Sequence, residues 1–288
     1  IESAPEVGMV SSPEQHDIDY TDFEKDEQIG TGGYADVFRV TVDDTPLVLK
    51  EPRLEGTVST DIVDSFVDEA ETWAKLDGHD HVVGVVDWGV HRIPWIALEH
   101  MDGGSLTERI DTLETAEALW IGICLTRAIQ YAHRRGVVHL DLKPANVLFR
   151  ETSGDTWDVP KIGDWGLSSY LIDHSGTVEG LTPNYAAPEQ FDADAYGGAD
   201  DFTDRYQLAA VIYEALTGER AAPRNGATVF KRVLDEQVTP PTKVDPTLPN
   251  ALDPIFEKAL TKEKSDRYET VVNFRRDLVT VFEEVVDE

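Results

Sequence analysis

The pattern of apolar residues changes along the chain, from short alternating runs near the N terminus to helical stripes further on. Residues 35–42 and 46–50 alternate apolar and polar side chains, and 95–99 is a short apolar run, which predicts strands. Between these runs, apolar residues at 66, 70, 73 and 76 recur at helical spacing. We therefore predict that the first part of the chain is rich in β-strands and contains one prominent helix.

Helical periodicity dominates downstream. One long helix is predicted by a stripe that consists of Ile121, Cys124, Leu125, Ala128, Tyr131 and Ala132. Cys124, the single cysteine, lies on that stripe, which favours a buried inert thiol over a nucleophile and excludes an internal disulfide. Residues 151–159 and 192–201 are polar and contain Gly and Asp, so we predict loops there.

The first 22 residues lack apolar periodicity, and we predict a flexible leader over 1–22. The missing initial Met suggests a piece of a longer protein, in which regulatory domains or a dimer partner could occur. A length of 288 residues fits two lobes of one domain better than two independent domains. No repeat, signal peptide or membrane-length apolar run is present, so we expect no membrane segment in this piece and a cytoplasmic location.

Acidic residues outnumber basic ones 56 to 25, and the formal net charge is −31. The acids are spread through every segment, so their repulsion destabilises the compact state unless salt screens it. Near molar salt the Debye length falls to roughly 3 Å. We interpret the composition as adaptation to a salt-rich cytoplasm, with an acidic surface that recruits basic substrates as the alternative. A nucleic-acid partner is disfavoured.

Two segments carry the strongest chemical signal: residues 139–146 read HLDLKPAN, and residues 164–166 read DWG. Moving a phosphoryl group from a magnesium nucleotide to a hydroxyl requires metal coordination, a positioned nucleophile and charge neutralisation. An acid can orient the hydroxyl (Asp141), a lysine can face the phosphate (Lys143), and an amide and a second acid can hold magnesium through hard oxygens (Asn146 and Asp164).

Two upstream segments fit the same chemistry. Residues 30–37 read G-x-G-x-x-A-x-V, and small residues let backbone amides approach phosphates closely. A tight hairpin would use glycine as freely, so this segment alone is weak evidence. The apolar run 47–50 ends in Lys50, and a lysine that closes a buried strand needs a partner. Both Glu69 and Glu71 on the predicted helix could provide it.

Together these motifs resemble the catalytic domain of protein kinases. Further resemblance lies downstream, in Thr182–Tyr185, in the A-P-E motif that ends at Glu189, in the D-x-Y-x-L motif that begins at Asp204, and in Arg267, which would pair with Glu189. The resemblance runs from about residue 23 to about residue 282. It is to eukaryotic-like, Hanks-type serine/threonine protein kinases of bacteria and archaea, here from a halophile.

This resemblance implies an α+β, bilobal fold with a small, mainly antiparallel β N-lobe that contains one key helix, and a larger, mainly helical C-lobe. The kinase domain would span 23–288, divided into an N-lobe over 23–98, a hinge over 99–104 and a C-lobe over 105–288.

The implied cofactors are ATP and Mg²⁺, and the implied substrate is a protein. The implied catalytic residues are Asp141, Lys143, Asn146 and Thr182, and the implied metal ligands are Asn146 and Asp164. Nucleotide binding is implied for Ile29, Gly30, Thr31, Gly32, Gly33, Val37, Val48, Lys50, Glu69, Leu98, Glu99, Met101 and Leu148.

Several of these residues have specific implied roles. Lys50 would bridge the α- and β-phosphates, and the register of the family motif favours Glu69 over Glu71 as its partner. Leu98 would be the gatekeeper, and backbone amides around Glu99 and Met101 would bind the edge of the adenine. In a packed spine between the lobes, Trp73 would point inward beside Trp165 and His139.

Departures from the family pattern bear on regulation. Ala35 replaces the third glycine of the phosphate-binding loop, Val48 replaces an alanine against the adenine, and Trp165 replaces phenylalanine. Leu140 replaces the arginine that normally binds a phosphate on the activation loop, where Ser168, Ser169, Ser175 and Thr177 are candidate phosphosites or ordinary solvated hydroxyls.

Two alternatives to an active protein kinase are a pseudokinase that binds nucleotide without turnover and a small-molecule kinase of related fold. The lysine, catalytic acid and metal acid are all retained, and the landmarks at 182–189 and Arg267 belong to the protein-substrate type.

Overall fold

An antiparallel five-stranded sheet forms the N-lobe in a computed structural model that describes residues 4, 18–31, 35–53, 60–166, 183–222, 233, 234 and 236–287. Its strands are β1 (Glu24–Thr31), β2 (Ala35–Val42), β3 (Thr45–Pro52), β4 (Val85–Val90) and β5 (Pro94–Glu99). They lie in the order β1-β2-β3-β5-β4. The three strands predicted from alternation and apolar runs are therefore confirmed.

One helix, α1 (Thr60–Ala74), packs against the sheet through the apolar residues that predicted it. Phe66, Ala70 and Trp73 are buried, and Leu76 is buried just beyond the helix end. The indole N–H of Trp73 donates to the carbonyl of Val83 at 2.8 Å, which satisfies its polar atom inside the core.

The predicted leader is wrong in its last five residues, 18–22, which pack against the N-lobe. The backbone N–H of Ile18 donates to Asp87 at 2.7 Å, and the Tyr20 hydroxyl donates to Glu51 at 2.6 Å. A short 3₁₀ turn, Tyr20–Asp22, is capped by Asp19. The physical reason is that Ile18 and the Tyr20 ring cover apolar surface around Trp95, which the lack of periodicity in so short a segment concealed.

The C-lobe is mainly helical and contains a two-stranded antiparallel sheet, β6 (Val147–Arg150) and β7 (Val159–Ile162). The described helices are α2 (Leu106–Arg109), α3 (Thr115–His133), α4 (Pro188–Phe191), α5 (Ala193–Tyr196), α6 (Asp201–Thr217), α7 (Pro241–Val244), α8 (Leu252–Ala259) and α9 (Val271–Asp287). The predicted loop at 192–201 is partly wrong, because it contains α5, whose first turn is capped by Asp192. The bilobal α+β fold is confirmed.

Helix α3 is the centre of the C-lobe, packed between α6, α9 and β7. Cys124 on this helix is 1% exposed, and burial raises the pKa of its thiol to about 12, as expected for an inert core residue.

Backbone hydrogen bonds join the lobes at two places. Val83 donates to the carbonyl of Ile162 at 2.9 Å, and Ile162 donates to the carbonyl of His81 at 2.9 Å, so the segment before β4 is tied to β7. In the hinge, Gly103 donates to the carbonyl of Phe149 at 2.8 Å. The two bonds of Ile162 hold β7, which leads into the DWG motif, against the N-lobe, and the bond of Gly103 ties the hinge to β6.

Among the helices within the described ranges, none combines the length and apolarity needed to cross a bilayer.

Candidate active site

The loop over 139–146 is held in an uncommon backbone conformation. Leu140 has φ of 63°, in the left-handed region that costs a branched or bulky residue energy unless its surroundings enforce it. Asp204, at the start of α6, accepts hydrogen bonds from the backbone N–H groups of His139 at 2.9 Å and Leu140 at 2.8 Å. Its fully buried carboxylate also contacts the His133 ring at 2.8 Å.

Two buried glutamines complete this anchorage. The side-chain amides of Gln190 and Gln207 both donate to the carbonyl of Leu140, at 2.9 and 3.0 Å, and Gln207 also accepts from the N–H of Leu142 at 3.0 Å. Both backbone groups of the strained residue therefore have fixed partners. The result is a rigid loop that presents Asp141 at a defined position.

Asp141 is 2% exposed and interacts with the Lys143 ammonium through a short ion pair. The amide of Asn146 donates to the carbonyl of Asp141 at 3.0 Å, which leaves its own oxygen available as an acceptor or ligand. The structure thus brings three of the four predicted catalytic side chains together. Thr182, the fourth, lies outside the described residues.

A second cluster connects the lobes. The Lys50 ammonium lies 2.6 Å from a carboxylate oxygen of Glu69 on α1 and 2.7 Å from one of Asp164. Glu71, the alternative partner weighed from the sequence, is exposed. Lys50 and Asp164 are separated by 114 positions in the chain, and only the tertiary fold brings them together.

The electrostatics of this cluster are those of a buried cation between two anions. The charge of Lys50 lowers the pKa of Asp164 to about 2, so this carboxylate is ionised at neutral pH. Burial opposes the charged form of Lys50, but the carboxylates of Asp164 and Glu69 outweigh it and raise the Lys50 pKa. Burial raises the pKa of Glu69, and the Lys50 charge opposes that shift.

Gly166 of the DWG motif lies directly against Glu69. A β-carbon at Gly166 would come within 2.3 Å of the Glu69 carboxyl carbon. Because that carboxylate is held by Lys50, it could not move away without breaking the ion pair. The missing side chain of Gly166 therefore permits Glu69 to remain at the site.

Trp165 and His139 pack together in the interior, with ring centroids 4.8 Å apart. The Trp165 indole N–H donates to the carbonyl of Ile162 at 3.1 Å, and His139 contacts the carbonyl of Gly163 at 3.0 Å. Phenylalanine in place of Trp165 would lack that donor. Trp73 belongs to the same apolar cluster as Trp165, and its place in a spine beside these two rings stays a prediction.

The hinge differs from the expectation at Glu99. Its backbone N–H donates to the carbonyl of Gly84 at 3.0 Å and is therefore not free for an adenine. The Glu99 carboxylate is buried, accepts from the N–H of Gly84 at 2.6 Å, and pairs with Lys161 at 2.7 Å and with Arg150. Of the backbone groups of Glu99, only its carbonyl could serve the nucleotide.

The other predicted nucleotide contacts surround the junction of the lobes. Leu98 is buried next to Glu99 on β5, opposite Val48 on β3, while Met101 and Leu148 are half-buried. Val37 faces Lys50 across β2 and β3, and Gly30 and Thr31 end β1, where Ile29 is 48% exposed. Gly32 and Gly33 lie outside the described residues.

The donors that magnesium prefers are available on these loops. Asp164 is ionised and its side chain is 47% exposed, and Asn146 has a free amide oxygen, so both can provide oxygen ligands. The described part of the chain has no cluster of three or more His, Cys, Asp or Glu suited to a metal. Two protein ligands are sufficient for magnesium when phosphate oxygens and water provide the rest.

A buried ion pair joins the A-P-E motif to the segment that precedes α9 in the C-lobe. Both guanidinium nitrogens of Arg267 lie 2.8 Å from the two carboxylate oxygens of Glu189, and both side chains are fully buried. Thr203 donates to the same carboxylate at 2.8 Å. The bidentate geometry is the one expected from the sequence.

Sequence reasoning missed several residues that position the site. No sequence signal marked three of them: Gln190, Gln207 and His133. Polar residues on amphipathic helices usually face solvent, so nothing in the sequence indicated that these side chains are directed inward. Lys161 did give a signal, since it interrupts the apolar run of β7 three residues before Asp164 and is only 1% exposed. A charge inside a buried strand requires a partner, which the fold provides as Glu99.

Comparison with known proteins agrees with this geometry. Residues 23–276 match the protein kinase domain family. The chain is 32% identical over 264 residues to a probable serine/threonine-protein kinase of Clostridium perfringens, an alignment that covers 87% of this chain and 37% of that protein.

Two further relatives are similar. PrkC, a serine/threonine-protein kinase of Bacillus subtilis, is 32% identical over 269 residues, covering 88% of this chain and 40% of PrkC. PknJ, a serine/threonine-protein kinase of Mycobacterium tuberculosis, is 33% identical over 261 residues, covering 86% of this chain and 43% of PknJ. The chain spans about two fifths of the length of these relatives, and by the match over nearly its whole length it belongs to the protein kinase family, among the bacterial serine/threonine kinases.

Proposed function

We propose that this chain transfers the γ-phosphoryl group of ATP, with Mg²⁺, to serine or threonine hydroxyls of a protein, in the cytoplasm. The observation that carries the proposal is the convergence of Lys50, Glu69 and Asp164 beside the rigid loop that presents Asp141. Lys50 is positioned to bind phosphate oxygens, and Asp141 is positioned to orient and deprotonate the acceptor hydroxyl.

The remaining side chains have roles that follow from their charge. Lys143 would neutralise charge that develops on the transferred group, and Asn146 with Asp164 would hold magnesium, which would supply positive charge that shields the phosphates. Lys50 pairs with Asp164 in the structure, so a bound phosphate would compete with Asp164 for this ammonium, and the Asp164 carboxylate would then be available to hold magnesium. Glu69 keeps Lys50 oriented during this exchange.

The pseudokinase alternative predicts nucleotide binding without turnover. The test is transfer of labelled phosphate from ATP to the chain itself and to a generic basic protein, at molar salt with magnesium. Transfer that requires magnesium and yields phosphoserine or phosphothreonine supports the proposal. Nucleotide binding without any transfer would favour the pseudokinase.

Loop phosphorylation is expected to have little effect on activity. Leu140, which replaces the arginine that would bind a loop phosphate, is 1% exposed, and it offers no cation. A phosphate on Ser175 or Thr177, which lie outside the described residues, would therefore lack a paired charge at the catalytic loop. We expect Ser175→Ala/Thr177→Ala to keep phosphotransfer within a few-fold of the parent, measured as initial rate. A fall to background would show that another cation binds a loop phosphate.

Salt should stabilise the chain if the halophilic interpretation is right. With a net charge of −31, the surface acids repel one another and destabilise the folded state, and this repulsion decreases as ions screen it. We expect both the melting midpoint and the initial rate of transfer to rise as potassium chloride approaches molar concentration, with magnesium held constant. A midpoint that stays flat or falls would exclude this interpretation and support an acidic surface that recruits basic substrates.

A further inference from the structure

Four arginines without carboxylate partners lie close together on the C-lobe. We call Arg127, Arg134, Arg135 and Arg275 the arginine patch. Arg127, Arg134 and Arg135 are exposed and Arg275 is half-buried. Among the described residues, none of the four has a carboxylate within 4.0 Å. The other described arginines except Arg92 form ion pairs, namely Arg39, Arg53, Arg109, Arg150, Arg205, Arg220, Arg267 and Arg276.

The fold, and not the sequence, brings these four cations together. Arg127 and Arg134 are seven positions apart on α3 and at its C-terminal cap, which places them on one face two turns apart. Arg275 comes from α9, which packs along α3. Burial and then the charges of Arg127 and Arg134 lower the pKa of Arg275, so these three guanidinium groups share one positive field, and Arg135 follows Arg134 directly in the chain.

Aromatic rings form a platform beside the arginine patch. The Arg135 guanidinium lies 3.4 Å from the centre of the Tyr131 ring, and the other neighbour of that ring is His79, with centroids 4.6 Å apart. Stacking on the ring and a long hydrogen bond from Arg135 to the carbonyl of Tyr131, at 3.5 Å, orient this guanidinium group. Burial lowers the pKa of His79, and the nearby carboxylate of Asp80 only partly opposes that shift; Asp80 forms no ion pair with the arginine patch.

Such a cluster is unexpected in a chain with more than two acids for each base. Like charges that lie close together repel, and the chain has enough carboxylates to provide an ion-pair partner for each arginine. From this we infer that the arginine patch is a docking site for a short acidic protein segment, whose Asp and Glu side chains provide the missing carboxylates. All four cations are arginine, whose planar fork binds carboxylates in a bidentate manner that lysine cannot reproduce.

The charge of the whole chain favours a short segment over an extended anionic surface. A membrane or a nucleic acid would present negative charge to the entire molecule, which carries −31. A peptide that covers only the arginine patch responds mainly to charges within the Debye length, which falls from about 8 Å at 0.15 M ionic strength to roughly 3 Å near molar salt. The inference does not depend on phosphotransfer, since the patch residues lie outside the active site.

The test is fluorescence anisotropy with a labelled peptide of about ten alternating Asp and Glu residues. The variant Arg127→Gln/Arg134→Gln removes two charges from the arginine patch. The matched control, Arg92→Gln/Lys243→Gln, removes two exposed cations elsewhere that have no described ion pair. We expect the patch variant to bind about tenfold more weakly or worse, and the control to stay within about twofold of the parent.

A second patch variant tests whether the shape of the guanidinium group matters in addition to its charge, so that the test does not depend on a single variant. Arg127→Lys/Arg134→Lys keeps the charge, and it should bind with intermediate affinity because bidentate contacts are lost. Unchanged melting midpoints and basal phosphotransfer establish that the variants are folded. The inference would be overturned if the patch and control variants lost peptide affinity equally, or if neither lost any peptide affinity. Binding to vesicles of phosphatidylglycerol that needs the arginine patch, without peptide binding, would overturn it in favour of a membrane.

Discussion

Asp141→Asn is expected to lower phosphotransfer by about 10³-fold or more while nucleotide affinity stays close to that of the parent. The amide keeps the size of the carboxylate but cannot accept the proton of the acceptor hydroxyl. The Asp141 carboxylate pairs with Lys143, and its backbone carbonyl accepts from the Asn146 amide; Asp141 is not part of the Lys50 cluster that would bind the phosphates. The measurements are initial rate with labelled ATP and nucleotide affinity by equilibrium titration.

Two controls make this result specific. Asp155→Asn removes a carboxylate from an exposed loop position and should leave the rate unchanged. Lys50→Ala should instead weaken nucleotide positioning, because it leaves Glu69 and Asp164 without their shared cation. Substantial transfer by Asp141→Asn would show that another group deprotonates the hydroxyl.

Arg267→Met is expected to lower the free energy of unfolding by about 3–5 kcal/mol, the usual cost of leaving a buried charge without its partner. Among the described side chains, Glu189 would keep only the Thr203 hydroxyl as a partner, and the carbonyls of Thr261, Phe202 and Lys262 would each lose the hydrogen bond from Arg267. The measurement is urea denaturation at constant potassium chloride concentration.

Arg276→Met is the matched control for that substitution. Arg276 is 74% exposed and pairs only with the neighbouring Asp277 at 3.3 Å, so its removal should change stability by less than about 0.5 kcal/mol. Arg267→Lys should lower the free energy of unfolding by an amount between those of Arg267→Met and Arg276→Met. One ammonium keeps the charge but cannot bond to both carboxylate oxygens and three carbonyls. If Arg267→Met and Arg276→Met are equally stable, the buried pair does not stabilise the C-lobe.

Local patterns predicted much of the fold. The alternation at 35–42 has the period of a strand with one buried face, and the stripe around Cys124 has the period of a helix with one buried face. Both elements could therefore be predicted from local spacing alone. Motif order predicted that Lys50, Glu69, Asp141 and Asp164 belong to one site. The boundary of the leader was misplaced because a segment as short as 18–22 shows no period, although Ile18 is buried.

The sequence by itself determined the family, the chemistry of the side chains at the predicted active site and the large negative charge, because these depend on residue identity and local spacing. Only the tertiary structure decided which distant groups meet. It placed Lys161 against Glu99, bound both glutamines to the carbonyl of Leu140, and gathered the arginine patch from α3 and α9. The physical reason is that buried polar groups must find partners wherever the packed core provides them, and packing is not a local property of the chain.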